Sequence, residues 1–303
     1  MKSSNIAVVL VNWNQYYLTR NCILSILNCS FKDFEIFLVD NASEDNSSKK
    51  LKKEFNNISF IQNKRNLGFT GANNIAIKEA IRRKFEYIML LNNDTEVKYN
   101  FFEPLLLSLK KDKKLAAVQP LILNFKNKNI VWNFGGKFNN FFGYVATMNK
   151  GVNKSKIKEN EIENTEWITG CCFLFRSEII EKIGMFDNYF FVYYEDADLS
   201  IRIKEAGYEI GLQKNSEIYH HEGASWKFKK SNREGKMSPY TRYLTIRNHI
   251  YFIKKHKIKF NFLGKWIYQF FKIFLFSFYF IIRMRFKKLS MVYKGLIDGL
   301  KRH

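Results

Sequence analysis

The 303-residue sequence predicts an α/β fold with a mostly parallel central sheet. In its first half, short apolar runs alternate with segments of helical periodicity, and each apolar run ends in a polar cluster. This alternation is typical of parallel strands joined by right-handed helical crossovers. Ligands of open α/β sheets bind beyond the carboxyl ends of the strands, so the polar clusters mark the predicted site. A hydrophobic content of 46% is enough to fill a core.

The first-half strands are predicted at IAVVLV, FEIFLVD, ISFIQ and YIMLL, and helices at 16–27, near 47–55 and at 71–84. Residues 125–165 are weakly patterned and rich in Asn, Lys and Gly, which predicts loops or a hairpin over the site. A strand in WITGCCFLF, a helix near 177–183 and a helix ending near 206 follow. Neither phosphate-binding glycine pattern is present, which argues against an NTPase and against a nicotinamide-dependent enzyme.

Net charge separates the two ends of the chain. The net charge is +22, and residues 226–303 hold 20 basic and 2 acidic residues, so +18 belongs to this tail and +4 to the remainder. The basicity therefore says little about the first 225 residues.

The four cysteines form no metal-ligand spacing, and we expect reduced thiols in a cytosol because no secretory signal is evident.

Four polar segments carry a family resemblance. They read VNWN, VDNASED, LLNNDTEV and GMFDNYFFVYYEDADLSIRIKEAGY, and in this order and spacing they resemble glycosyltransferase family 2. The likeness is greatest to the rhamnosyltransferase-like branch of bacterial surface-polysaccharide enzymes and runs from about residue 6 to residue 248. It implies the GT-A fold, with a helical C-terminal extension here, and inverting transfer of a sugar from a nucleotide-sugar donor.

A divalent metal site is implied by the same resemblance. Asp94 occupies the metal-binding position of the family's D-x-D motif, and Asn92 stands at its first position, where it can bond a ribose hydroxyl; Asn93 lies between them. His220 matches a family histidine that completes the metal or diphosphate site, although His221 stays open as the ligand. Mn²⁺ or Mg²⁺ would offset charge on the departing diphosphate. A turn that caps the next helix is the alternative for NND.

The resemblance assigns the general base to the second residue of the ED pair, Asp196. The aromatic run before it could desolvate this carboxylate, which makes a better base. Glu195 and Trp167 would orient the acceptor or the site. Asp198 is predicted to be structural because Arg202 lies four residues later on the same helix. The alternative is that all three acids only stabilise a helix N-terminus.

Recognition of the donor base is implied for the segments after the first two strands. Asp40 or Asn41 can accept the N3–H of uracil or thymine, and the family match leaves open which one does. Trp13 matches an aromatic beside the base, with core packing equally open.

Contacts to the phosphates and the donor sugar are implied for four further residues. Arg65 and Asn66 precede a helix whose N-terminal amides could face phosphate. Gly170 would let the backbone approach the donor sugar, a tight turn being the alternative, and Arg247 would contact the diphosphate.

The tail contains an apolar segment, 265–283, with 17 residues between its terminal charges. As a helix it would span about 25 Å against a hydrocarbon core of roughly 30 Å, which is marginal for crossing. Lys265, Gln269, Lys272 and Arg283 fall on one side, which favours a helix lying in the bilayer interface. Flanking basic runs favour anionic lipids. A short span, or a helix packed on the catalytic domain or a partner subunit, are the alternatives.

Together these features predict a catalytic domain at 1–250, with a nucleotide-binding half at 1–97 and an acceptor-binding half at 98–250, followed by membrane-associating helices at 251–303. The expected enzyme is an inverting, metal-dependent hexosyltransferase on the cytoplasmic face of the inner (plasma) membrane, peripheral or monotopic. It would use a UDP- or dTDP-sugar, with rhamnose favoured by the resemblance, and a lipid-linked or surface glycan acceptor. A nucleotidyltransferase and a non-catalytic membrane scaffold are the alternatives. Nucleic acid is disfavoured because the charge is confined to the tail, and a homo-oligomer stays open.

Overall fold

The computed structural model describes residues 5–157, 162–222, 234–235 and 237–302. Residue contacts divide the chain into two compact units. Unit 1 comprises Met1–Lys137, Thr147–Phe191 and Glu195–Glu222. Unit 2 comprises Phe138–Ala146, Val192–Tyr194 and Gly223–His303. Residues 251–303, which the sequence analysis sets apart, all lie in unit 2.

The main sheet belongs to unit 1. Its strands are β1 (Ile6–Asn12), β2 (Phe34–Asp40), β3 (Ser59–Gln62), β4 (Tyr87–Leu91), β5 (Thr95–Val97), β6 (Leu115–Asn124), β7 (Val131–Asn133), β10 (Glu163–Asn164), β11 (Cys172–Arg176) and β12 (Glu209–His220). Between β7 and β10 in the chain, β8 (Gly136–Asn139) and β9 (Tyr144–Thr147) form a separate two-stranded hairpin. The order is β10-β12-β6-β11-β4-β1-β2-β3, with β5 beside β12 and β7 beside β6. Strands β1 to β4 pair in parallel, as do β6 and β12, whereas β11 is antiparallel to both neighbours. The predicted mostly parallel sheet is confirmed.

Helices cover both faces of this sheet. They are α1 (Tyr16–Leu27), α2 (Ser47–Glu54), α3 (Gly68–Arg82), α4 (Phe102–Lys111), α5 (Ser177–Ile183) and α6 (Glu195–Glu205). Because side chains alternate along a strand, Ala7 and Val9 pack in the core with α3, whereas Ile6, Val8 and Leu10 pack in the core with α1 and α4. The sheet is therefore buried on both sides, and its functional groups can emerge only at strand ends.

Local sequence explains most helix bounds. The predicted helices at 16–27 and 177–183 are confirmed. Helix α3 begins at Gly68, three residues before the expected start. Gly68 has φ +72°, and its N–H donates to the Asn66 side chain at 2.8 Å, so an αL residue and an asparagine turn begin the helix.

Unit 2 contains α7 (Pro239–Lys255), α8 (Phe262–Ile282) and α9 (Phe286–Lys301). The side chain of Ser238 caps α7 by accepting the Thr241 N–H at 3.0 Å, and Pro239 takes the first helical position. Two glycines of α9 allow a close approach to α7: a Cβ added at Gly295 would lie 2.7 Å from the Tyr243 carbonyl oxygen. Small residues thus set the distance between these two helices.

Helix α8 turns its polar side inward. Lys265 and Gln269 are buried, and the Lys265 ammonium donates to the Ile253 carbonyl at 3.3 Å. Lys272 is half-buried, whereas Arg283 is exposed. The opposite side is apolar and exposed, and we call it the outer face; its large side chains are Phe262, Leu263, Ile267, Phe270, Phe271, Phe274, Leu275, Phe278, Ile281 and Ile282. Among the described residues, α8 alone has the length and apolar composition of a membrane-crossing helix.

Candidate active site

The ends of β1, β2 and β3 are tied together through Asp40. Its Oδ1 accepts from the Asn12 amide at 2.8 Å, and its Oδ2 accepts from Gln62 at 2.7 Å and from the Ser43 N–H at 3.0 Å. The Asn12 amide nitrogen also lies 2.9 Å from the Ser47 hydroxyl. Asp40 is fully buried, so its position is fixed by three neighbouring segments. Recognition of the nucleobase of the donor by Asp40 stays a prediction.

Asn41 organises the loop that leads into α3. Its Oδ1 accepts from Asn63 at 3.1 Å and from the Leu67 N–H at 2.9 Å. Its Nδ2 donates to Asn66 Oδ1 at 2.9 Å and lies 3.2 Å from the Gly68 carbonyl. Asn41 and Asn66 therefore shape the first turn of α3. The Leu67, Gly68 and Thr70 amides donate within the protein, to Asn41, Asn66 and the Phe191 carbonyl, so the expectation that the first amides of this helix face a phosphate is wrong for these three.

Two exposed side chains flank these loops. Trp13, which follows Asn12 in the chain, is 42% exposed and so does not pack in the core. Arg65 is exposed and has no hydrogen bond or ion pair with any described residue. Thr70, in the first turn of α3, has a buried hydroxyl that no described residue bonds. A planar base and a phosphate are the kinds of group that such side chains can contact.

Asp94 and His220 form a buried pair. The His220 Nε2 lies 3.2 Å from Asp94 Oδ1, and β12 brings the histidine beside Thr95 of β5. Burial opposes a charged imidazole, but Cys171 and Asp94 outweigh burial and raise the pKa of His220 to about 10. The Nδ1 atom of His220 is buried without a hydrogen-bond partner among the described residues. The Trp132 ring meets the imidazole edge to face, with centroids 4.2 Å apart.

Asp196 occupies the first turn of α6. Its Oδ2 accepts from the Gly170 N–H at 2.9 Å, and its Oδ1 accepts from the Ala197 N–H at 2.7 Å. Burial raises the pKa of this carboxyl, and Gly170, Ala197 and the Trp167 indole oppose that rise. The Trp167 Nε1 is buried without a normal hydrogen bond to any described residue. The result is an oriented, partly desolvated carboxylate with a tryptophan beside it.

The other two acids of α6 differ in role. A Cβ added at Gly170 would lie 3.6 Å from Glu195 Oε1, so this buried carboxylate sits beside the same glycine. Asp198 is fully buried and pairs with Arg202 at 2.9 Å. Arg202 also donates to three successive backbone carbonyls at the C-terminal end of α5, those of residues 183–185, so the pair ties α5 to α6.

The dipeptide Gly170–Cys171 links Asp196, the predicted general base, to the Asp94–His220 pair. The Gly170 N–H donates to Asp196, and the Cys171 carbonyl accepts from the Asn92 N–H at 2.8 Å. The Cys171 side chain contacts His220. Asn93 is held by a bond from its Nδ2 to the Thr19 hydroxyl at 2.8 Å. The predicted base and the predicted metal ligands thus meet at one edge of the sheet.

The backbone before α6 is strained. Phe191, Tyr193 and Tyr194 have φ of +63°, +76° and +73°, which is unusual for aromatic residues. Such strain is concentrated at functional sites. The aromatic run is also divided: Phe190 is buried in unit 1, whereas Tyr194 stacks on His249 within unit 2 at 5.3 Å. Tyr194 is therefore committed to packing inside unit 2.

Arg247 belongs to unit 2. Its Nε donates to Asn248 Oδ1 at 2.9 Å, and its guanidinium lies 5.3 Å from the Tyr243 ring centroid. Contact with the diphosphate stays a prediction for this residue.

Asp94 and His220 suit a divalent cation that is shared with substrate. The described residues include no cluster of three or more His, Cys, Asp or Glu side chains that could hold a metal ion alone. A carboxylate oxygen and an imidazole nitrogen that face each other, here Asp94 Oδ1 and His220 Nε2, are nevertheless suitable Mn²⁺ ligands, and the cation would take the place of the proton on this nitrogen. Metals at phosphate sites commonly take few protein ligands and fill the other positions with phosphate and water.

Sequence reasoning missed several residues of this site. Asn12 and Thr19 lie at the centre of the hydrogen bonds that place Asp40 and Asn93, and Trp132 and Cys171 contact His220. Asn12 belongs to the motif VNWN, so the polar cluster after β1 is a sequence signal for it. No sequence signal places Trp132 or Cys171, because their contacts depend on strand pairing across more than 40 residues.

The fold and these strand-end groups define a sugar-nucleotide transferase, and comparison with known proteins agrees. The family model "Glycosyl transferase family 2" matches residues 7–184. The chain therefore belongs to glycosyltransferase family 2, as the resemblance predicted.

Two relatives and one solved structure add detail. Rhamnosyltransferase WbbL of Escherichia coli (strain K12) is 24% identical, with 66% of this chain and 76% of the relative covered. The N-acetylglucosaminyl-diphospho-decaprenol L-rhamnosyltransferase of Mycobacterium tuberculosis is 21% identical, covering 72% of this chain and 76% of that protein. The crystal structure of GalNAc-T7 with UDP, GalNAc and Mn²⁺ matches at a TM-score of 0.64 and 17% identity, over 84% of this chain and 48% of that chain. This chain thus spans about half the length of GalNAc-T7, and the likeness confirms a GT-A-type fold.

Proposed function

We propose that this chain is an inverting glycosyltransferase that moves a sugar, rhamnose being favoured, from a dTDP- or UDP-sugar to a lipid-linked glycan. Family membership supports sugar transfer from a nucleotide sugar. The rhamnosyltransferase relatives support rhamnose. The name of the mycobacterial relative, with its diphospho-decaprenol acceptor, supports a lipid-linked acceptor here.

The single observation that carries the mechanism is the link through Gly170 and Cys171. It brings the Asp196 carboxylate and the Asp94–His220 pair to one sheet edge. A glycosyl transfer with inversion needs a base on one face of the sugar and charge stabilisation at the diphosphate on the other. The two groups joined by this dipeptide supply both.

Asp196 would act on the acceptor. Its carboxylate would take the proton from the acceptor hydroxyl as that oxygen attacks the anomeric carbon opposite the departing diphosphate. The burial that raises its pKa strengthens it as a base, and the Gly170 and Ala197 amides hold its orientation. Glu195 and Trp167, which flank this carboxylate, would position the acceptor.

Asp94 and His220 would hold Mn²⁺ or Mg²⁺ at the diphosphate. When bound, such a cation offsets the negative charge that gathers on the leaving group. Asn92 and Asn93 would position the nucleotide, and Asp40 or Asn41 would contact its nucleobase.

The test of the mechanism is Asp196→Asn in the full chain. We expect transfer from the sugar nucleotide to fall by at least about 10²-fold, the usual contribution of a general base. The unfolding temperature and nucleotide binding should stay unchanged. Glu178→Gln, an exposed acid on α5, is the matched control and should keep full activity. Normal turnover by Asp196→Asn would contradict the assignment, and release of pyrophosphate in place of nucleoside diphosphate would indicate a nucleotidyltransferase.

The metal assignment is tested by thermal unfolding with UDP, dTDP, GDP or CMP, each with Mn²⁺ and then with EDTA. Ligand at about 100 times its Kd should add about 2.7 kcal/mol to the stability. We expect a Mn²⁺-dependent gain with UDP or dTDP that His220→Ala reduces. An equal gain in EDTA would show that nucleotide binding needs no metal.

A peripheral or monotopic location on the cytoplasmic face of the membrane completes the proposal. The apolar outer face of α8 supports it, together with basic residues at both ends of that helix, among them Lys255, Lys257, Arg283 and Lys287. Apolar insertion and attraction to anionic lipids are the two terms that hold interfacial helices on membranes.

A further inference from the structure

Unit 2 holds several cations in its interior with few acids near them. Of its described residues, only Glu234 and Asp298 are carboxylic acids. Lys265 is satisfied by backbone carbonyls. Three further cations meet at the inner side of α8, and we call them the cation cluster. Lys272 belongs to α8 itself, whereas Arg242 of α7 and Lys288 of α9 approach its inner aromatic rings.

Arg242 lies over the inner aromatic side chains of α8. Its guanidinium carbon is 4.1 Å from the centroid of the Phe276 ring and 5.7 Å from that of Phe280. Its Nε–H is buried and has no hydrogen-bond partner among the described residues, and no described carboxylate pairs with it. Burial lowers the pKa of Arg242. The ring contacts hold the guanidinium in place but leave its Nε–H without an acceptor among the described residues.

Lys272 is one helical turn before Phe276 on the same side of α8. Its ammonium lies 3.3 Å from His249 Nδ1, and the other ring nitrogen lies 2.8 Å from the Gly143 carbonyl. The same Nδ1 also lies 2.7 Å from Gln269 Oε1. Burial lowers the pKa of His249 to about 3, so the imidazole beside Lys272 is neutral. Burial, and after it the Arg242 charge, lower the pKa of Lys272 to about 7. Lys272 thus has a neutral partner and a cation nearby.

Lys288 of α9 completes the cluster. It is buried, and its ammonium lies 5.9 Å from the Phe280 ring centroid, so Arg242 and Lys288 approach the same ring. Its ammonium donates to the Glu234 carbonyl. Burial lowers the pKa of Lys288, and Arg285 and Arg242 lower it further, while Glu234 opposes the effect only in part.

Like charges that are withdrawn from water and face one another are unfavourable unless an anion joins them. A phosphoryl group matches this need because its oxygens accept from guanidinium and ammonium donors at once. Arg242 and Lys272 are only partly buried, so such a group could reach them.

We propose that Arg242, Lys272 and Lys288 form a binding site for a phosphate or diphosphate group. The apolar outer face lies on the opposite side of the same helix, so the structure favours a phosphate that is carried by a lipid. The bound group would then be the phosphate or diphosphate of the lipid-linked acceptor, an assignment that rests on the proposed function. Free phosphate is the other source of the same chemistry.

The first arm of the test measures thermal unfolding of the full chain with inorganic pyrophosphate in EDTA. We expect pyrophosphate to stabilise the wild type, and Arg242→Gln and Lys272→Met to weaken its binding by at least about tenfold, the value of one charged hydrogen bond. Lys287→Gln, an exposed α9 control with the same charge change, should bind as the wild type does. Asp94→Asn should also leave this binding unchanged, which separates it from the active site.

The second arm identifies the source of the phosphate. Vesicles of phosphatidylcholine with phosphatidic acid are compared with vesicles of equal charge made with phosphatidylglycerol, since only the first exposes a phosphomonoester. We expect the wild type to prefer phosphatidic acid and Lys272→Met to lose that preference. Pyrophosphate binding without any lipid preference would overturn the lipid source and leave free phosphate.

The site would be overturned if pyrophosphate did not stabilise the wild type and the variants were more stable than the wild type. The three cations would then destabilise the fold without binding an anion. The proposed function is judged separately by nucleoside diphosphates. Arg242→Gln should keep the nucleotide response of the wild type. If nucleoside diphosphates failed to stabilise the protein while pyrophosphate still bound, the proposed function would be rejected and the phosphate site of the cation cluster would stand.

Discussion

The outer face of α8 makes a quantitative prediction about membrane binding. Phe270, Phe274 and Phe278 stand four residues apart, so they form one stripe, and they are 65%, 56% and 59% exposed. We consider the triple change to glutamine, a good helix former that removes apolar surface and leaves the charge of the protein unchanged.

The expected loss follows from the exposed area. Complete burial of a phenylalanine side chain contributes about 1.5–3 kcal/mol. Because somewhat more than half of each ring remains to be buried by lipid, each contributes about 1–1.5 kcal/mol, or about 3–5 kcal/mol together. The triple variant should therefore partition about 10²- to 4 × 10³-fold more weakly, since about 1.4 kcal/mol corresponds to a factor of ten.

The assay is co-sedimentation with vesicles rich in anionic lipid, at low and at high salt. High salt screens the basic residues and isolates the apolar contribution. Tyr17→Gln is the matched control, because this aromatic side chain of unit 1 is 76% exposed but lies outside α8. Equal binding of the triple variant and the wild type at high salt would refute the membrane role of the outer face.

Three further predictions concern stability. Gly299→Ala should destabilise unit 2 by about 1–3 kcal/mol despite its higher helix propensity, because the new methyl would meet the Arg247 carbonyl at 2.9 Å; hydrogen exchange of α9 amides would show it. Asp198→Asn should cost about 3 kcal/mol because it leaves Arg202 without its buried partner; an unchanged urea midpoint would contradict this. Burial lowers the pKa of Lys272 to about 7, so above this pH the unfolded chain binds more protons and stability should rise with pH toward the ordinary lysine pKa; Lys272→Met should flatten that rise in urea titrations.

Much of unit 1 could be predicted from sequence because its signals are local. The strands β1, β2 and β4 are continuous apolar runs, and α1 has both ends where the pattern places them. The polar clusters came together as expected because parallel strands end at one edge. The pairing of Asp94 with His220 required the family resemblance, since these residues are more than 120 positions apart.

Other features depend on contacts that periodicity does not report. The pattern of α8 shows that Lys265 and Gln269 share a side, but only packing shows that this side faces inward. Left-handed backbone at Tyr193 and Tyr194 is not expected of aromatic residues, because glycine and asparagine dominate that region. The place of Arg247 in unit 2 likewise follows from helix packing alone.

Gly68 carries a consequence for how this site can vary among related sequences. Its φ of +72° favours glycine, and a Cβ at this position would lie 2.5 Å from both the ring and the carbonyl oxygen of Phe191. No rotation of the Phe191 side chain can relieve the second contact, because it involves the main chain. Two independent constraints thus act on one position, and the segment before Asp196 limits the loop that enters α3. We expect drift in this lineage to exchange the residues around Gly68 long before it exchanges Gly68 itself.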